Sequence, residues 1–211
     1  MAMLDAGDGR LGQLQTGDLV LFAERRPLLG LLARLGWTVW THVGMVLRES
    51  PDAEPRLWEA APHRPALREV SLAERVAHFR GQVSARHLDH ELNPLHHARL
   101  DALRRELAAT ERKRGLLDLM SAGDDGWLGA STRTLGLLAA AELVAEAYQR
   151  LGLLEGAARG GRAAGEFRPR HFAAAAGLQL KQGYALGPEL VLQAPAGADE
   201  PSRLAPQPAG A

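Results

Sequence analysis

The chain has no cysteine among its 211 residues. That absence excludes disulfides, thiolate zinc sites, iron–sulfur ligation and any thiol nucleophile. Lysine is nearly missing as well: Lys113 and Lys181 stand against 23 arginines. Together with plentiful Ala, Gly and Leu this reads as coding bias, and scattered Arg is ordinarily solvated surface. Net charge is lacking too, since 25 basic residues balance 25 acidic ones. A strongly electrostatic nucleic-acid binder is therefore not expected. The longest apolar stretches are interrupted by Arg34 and Glu142, so no segment reads as membrane-spanning. The first residues lack a basic flank and a continuous apolar centre, which makes a cytoplasmic location the expectation.

What is present is ordinary for a globular protein: 46% hydrophobic and 24% charged residues. The length suits one domain that buries its own core. The expected organisation is a loose leader over 1–13, a folded domain over 14–193 and a disordered Ala/Pro-rich tail over 194–211.

Local patterns place the elements. Leu19 to Phe22 reads as a short buried strand after a Thr16-Gly17-Asp18 turn. Leu28, Leu31, Leu32 and Leu35 recur at helical spacing between Pro27 and Gly36. Thr41 to Leu47 and Arg56 to Ala60 form a strand pair. Leu67 to Val70 is a further short strand. Ser71 caps a short helix to Phe79, with Glu74 completing a capping box. Gln82 to Leu88 alternates as a strand. Asn93-Pro94 opens a long amphipathic helix to about Lys113, 121–130 is a loop, and Leu135 to Leu151 is a strong helix stopped at Gly152. Residues 156–165 read as a loop, Arg168 to Phe172 as a turn or short helix, and Leu178 to Gln193 as one or two strands.

His42 and Glu59 lie on adjacent strands of this pattern. A carboxylate that fixes an imidazole's tautomer and supports its charged form is the orienting half of a nucleophile–His–acid triad. A His and a Glu on a hairpin are equally the polar residues of an ordinary sheet.

The flanking motifs resemble those of a known family. Gly17 to Phe22 is similar to the opening "GDLVLF" of the permuted papain-like proteins. These are circularly permuted relatives of the NlpC-type cell-wall peptidases, including the bacterial YiiX-like and lecithin:retinol acyltransferase groups. Thr41 to Val46 is similar to their "SHVGIV" strand, and Trp58-Glu59-Ala60 to their "LEA" strand. Ala140 to Ala145 falls where the family has "CSELVA". Tyr148 to Leu154, Arg168 to Phe172 and Gly183 to Glu189 also fit, so the resemblance covers about 14–193. It implies an α+β, permuted papain-like fold: a small antiparallel sheet packed on a central helix, plus a peripheral long helix. It also implies a site of His42, Glu59 and position 140, with Asp18, Trp37, Trp40, Thr41, Ala141 and Glu142 as ligand-contacting positions.

The departure from the family concerns the chemistry. Ala140 stands where the family has its nucleophilic Cys, and Ala141 where it has Ser. A methyl group cannot attack a carbonyl, and Ser131, Thr132 and Thr134 lie six or more residues upstream. Two accounts follow. One is a natural pseudoenzyme whose cleft binds an acyl, lipid-like or peptidyl amide ligand, and the altered neighbours Ala139 and Ala141 favour it. The other is a cysteine amidase, peptidase or acyltransferase inactivated by a Cys-to-Ala change. Neither needs a cofactor.

Further candidates have plainer readings. His87, His90, His96 and His97 match no metal-ligand spacing and read as a solvent-facing polar loop. Asp118, Asp124 and Asp125 lack the ligand order of a calcium loop. The Arg-rich segment 159–170 reads as a solvated loop. The apolar stretch 28–40 is either core or a lipid-facing lid, a peripheral membrane contact that Arg25, Arg26 and Arg34 would flank.

Overall fold

The computed structural model describes residues 9–24, 40–61, 67–121 and 131–194. Among these residues six strands form one antiparallel sheet: β1 (Leu19–Glu24), β2 (His42–Leu47), β3 (Arg56–Ala60), β4 (Leu67–Ser71), β5 (Gly81–Arg86) and β6 (Leu190–Gln193). Their order across the sheet is β4-β3-β2-β1-β5-β6. Among the described residues three longer helices flank it: α1 (Leu72–Ala77), α2 (Pro94–Ser121) and α3 (Ser131–Leu151). The expectation of an α+β fold with an antiparallel sheet on flanking helices is met. The apolar 28–36 segment, Trp37 and all of the expected 121–130 loop but Ser121, which is helical, lie outside the described residues.

The sheet is buried on both faces, which explains why β1 reads as a nearly unbroken apolar run. On one face Leu19, Leu21, Val43, Met45, Leu47, Trp58 and Ala60 pack against α3 through Ala141, Val144, Ala145 and Tyr148. On the other, Val20, Phe22, Val46, Leu57, Val83 and Ala85 meet Leu72 and Val76 of α1. Gly44 is needed at the centre of β2. A Cβ there would stand 2.8 Å from Leu57 Cδ1.

Cap chemistry sets several helix ends. Ser71 accepts the Glu74 amide at 3.3 Å and starts α1. Asn93 Oδ1 accepts the His96 amide, and Pro94 occupies the first helical position of α2. Gly152, at φ +81°, ends α3. Two helices run longer than the spacing predicts. α2 continues to Ser121 because the single Gly115 weakens a helix without stopping it. α3 begins at Ser131 rather than Leu135.

The C-terminal segment differs more. Only Leu190–Gln193 is a strand, with an isolated Leu88–Leu186 bridge before it. The approach is held by a side chain instead of a ladder. Buried Arg86 donates to the carbonyls of Gly187, Phe172 and Leu186 at 2.7, 2.8 and 2.7 Å. No described helix is long and apolar enough to cross a membrane.

Candidate functional site

β2 and β3 bring His42 and Glu59 together as their spacing suggests. His42 Nε2 lies 2.6 Å from Glu59 Oε2. The Glu59 carboxylate is fully buried, whereas the His42 side chain keeps 13% of its exposure. Two residues that the sequence does not flag complete the cluster. Arg68, paired directly across from Glu59 in β4, donates to Oε1 through Nε at 2.8 Å and through Nη2. Arg75 of α1 donates through Nε to Oε1 at 3.1 Å and Oε2 at 3.3 Å. Its guanidinium lies 4.6 Å from the Phe22 ring centre and 5.3 Å from that of Phe79, within cation–π range. The Phe22 ring also stands beside His42, 5.6 Å between centroids.

These contacts set the charge state. Burial works to raise the Glu59 carboxyl, but the His42 hydrogen bond and charge, with Arg75 and Arg68, hold it down to about 2. The ionised carboxylate only accepts, so Nε2 of His42 carries the hydrogen between them. Nδ1 then faces away from Glu59, and among the described residues it has no hydrogen-bond partner. Two guanidiniums share the carboxylate with the imidazole.

Phe22, Glu59 and Arg75, which surround His42, belong to the α1 side of the sheet. Ala140 and Ala141 are fully buried on α3, the helix packed on the opposite face. Trp40 is 5% exposed and packs in the α3-side core, as the core reading of its segment predicts. Thr41 is half-buried and closes the end of β2, its hydroxyl donating to the Phe22 carbonyl and accepting the Glu24 amide. Glu142 points outward near Gly165. Trp37 lies outside the described residues.

Asp18 anchors a second imidazole pair. Its Oδ2 lies 2.8 Å from His87 Nδ1 and accepts the Gln15 amide, while Oδ1 accepts the Leu88 amide. Burial pushes the Asp18 carboxyl above its ordinary value, and the two amides and His87 only partly offset that. Tyr148 donates to the Gly17 carbonyl next to it at 2.7 Å. Sequence reading treats His87 only as one of four clustered histidines. Of those, His96 is not solvent-facing. It is 2% exposed against Tyr184, because the Asn93 cap turns the first turn of α2 inward. Among the described residues no group of three His, Asp or Glu is placed to hold a metal ion.

No protein-family model matches this chain, and no curated protein matches it. The molecule stands as a mixed α+β domain with a central antiparallel sheet and flanking helices, carrying a buried His–Glu–Arg cluster.

Proposed function

We propose that this protein is a non-catalytic binding or regulatory protein built on a permuted papain-like plan. Its ligand is an acyl, lipid-like or peptidyl amide group received beside His42, without a cofactor. The observation that carries the reading is the state of Glu59: an intact His–acid pair whose carboxylate is already neutralised by Arg68 and Arg75. Such a pair holds an imidazole in place and offers its Nδ1 as a polar contact. The chain has no thiol for an imidazole base to activate. The ligand class rests on the resemblance of the 17–22, 41–46 and 58–60 motifs.

The competing reading is a cysteine amidase, peptidase or acyltransferase inactivated at position 140. An Ala140→Cys variant treated with an electrophilic acyl probe separates the two. The expected result is slow labelling that is the same with and without His42→Ala, because α3 packs on the face of the sheet away from the pair. Fast labelling abolished by His42→Ala would restore the enzyme reading. Binding itself is read from the His42 ring resonances during titration with short N-acyl peptides. Saturable shifts are expected, and unchanged resonances at ligand saturation of the solvent would remove the binding reading.

A further inference from the structure

Away from the His42 cluster, a groove of about 710 Å³ opens where the C-terminal end of α3 meets the start of α2, the 156–160 segment and the 181–183 turn. That volume falls within the range of small-molecule sites. Its lining carries no aromatic side chain and is dominated by cations: Arg99, Arg150, Arg159 and Lys181, against the single carboxylate of Glu155.

The charges do not cancel. Glu155 is 2.5 Å from Lys181 and neutralises it. Arg150 is held by Glu146 at 2.8 Å and by Glu106 at 3.2 Å. Arg99 and Arg159 have no carboxylate partner among the described residues. Arg99 gives one long hydrogen bond, 3.4 Å, to the Leu151 carbonyl. The C-terminal dipole of α3 accounts for a cation at that point. It leaves most of the five guanidinium donors unused.

The wall behind these arginines is fixed. Gln182 holds φ +59°, a left-handed conformation that a non-glycine residue rarely adopts. Its amide donates to the Gly152 carbonyl at 3.0 Å. Gly152 has no Cβ to block that approach; one would stand 2.6 Å from the Gln182 amide nitrogen. Gln149 donates to the Arg162 carbonyl at 2.7 Å. The Leu151 and Gly152 carbonyls are thus met by Arg99 and Gln182, and the groove presents guanidinium N–H groups.

We infer that this groove binds a small phosphorylated anion, with Arg99 and Arg159 gripping its phosphate oxygens. Guanidinium forks match the geometry of phosphate oxygens, and a polar lining without aromatic surface suits a phosphate better than an apolar ligand. The site is separate from the His42 cluster and does not depend on the function proposed for it.

The test is calorimetric titration of the full chain with inorganic pyrophosphate and, separately, inorganic phosphate at low ionic strength. Pyrophosphate is expected to bind saturably and more tightly than phosphate. Arg99→Gln/Arg159→Gln is expected to weaken it about tenfold or more, as the loss of charge-assisted bonds implies. The charge-matched control Arg80→Gln/Arg105→Gln, which alters exposed arginines elsewhere, is expected to bind as the unaltered chain does. Circular dichroism melts confirm that both double variants fold. Equal weakening in the two double variants would reduce the effect to general attraction and overturn the site. Absence of saturable binding to the unaltered chain would overturn it as well.

Discussion

At one end of the sheet Glu59 shares its carboxylate with His42, Arg68 and Arg75; at the other Asp18 holds His87 and two backbone amides. Both acids are buried, and both meet an imidazole nitrogen at hydrogen-bond distance. Their ionisation nevertheless moves in opposite directions. The His42 hydrogen bond and charge, with Arg75 and Arg68, overcome the desolvation of Glu59 and lower its carboxyl. Amide dipoles and one imidazole do not fully overcome that of Asp18, which stays raised. Hydrogen bonds alone satisfy a carboxylate's lone pairs, whereas countercharges are needed to make its ionised form cheap in a low-dielectric site.

The comparison breaks most visibly at Glu59. Glu59→Gln leaves two guanidiniums clustered around a neutral amide. A loss of about 3 kcal/mol in urea unfolding at neutral pH is expected, at the low end for a buried ion pair because Arg68 is 40% exposed. A loss below about 1 kcal/mol would mean that water serves the arginines as well as the carboxylate does.

Acid titration tests the same contrast with its sign. The Glu59 carboxyl is lowered from 4.5 to about 2 in the folded state, so its contribution is complete above the unfolded value. It is lost as pH falls through 4.5 towards 2, amounting to about 2–3 kcal/mol. Asp18 works the other way. With its folded value raised above 3.8, the native state holds that proton more tightly, and Asp18 ionisation lowers stability as pH rises past 3.8. Unfolding of the unaltered chain between pH 5 and 2 should therefore show the Glu59 loss partly countered. In Glu59→Gln the loss should disappear. A slope identical in both chains would assign acid sensitivity to other carboxylates.

The smallest effects are expected at Asp18, and they sharpen the distinction. Asp18→Ala strands the Gln15 and Leu88 amides and should cost about 2 kcal/mol. Asp18→Asn keeps one acceptor and removes a charge that burial disfavours, so its cost should stay under about 1 kcal/mol. Chemical denaturation of the two variants side by side measures the difference. A large loss in the Asn variant alone would show that the charge on Asp18 is needed for His87.

Much of the frame was legible in residue order. β3 falls where the Arg56–Ala60 pattern puts it, β1 and β2 differ by one or two residues at an end, and the Ser71 cap starts α1 one residue on. These elements are set by local chemistry: alternation or apolar runs, turn residues and caps. The His42–Glu59 contact was legible too, because a hairpin places neighbouring strands by short-range connection. Arg68 shares that local logic through its register with Glu59, and a closer reading of the β3–β4 pairing would have found it. Arg75 had no such signal, since α1 folds over the sheet before its guanidinium reaches Glu59. Between Leu178 and Gln193 the regular strand is Leu190–Gln193, for the Leu186 and Gly187 carbonyls are met by the Arg86 side chain and only an isolated bridge joins Leu186 to Leu88.

The sequence by itself determined that no thiol chemistry occurs here, because the atom is not in the chain. It also determined where strands and helices form and which His and Glu become neighbours, since caps, turns and periodicity act within a few residues. The tertiary structure decided the rest: that the carboxylate of Glu59 is shared with two arginines, and that Ala140 lies on a helix against the other face of the sheet. Which face a side chain occupies, and which charges are buried beside it, depend on how distant elements pack. No local pattern carries that information.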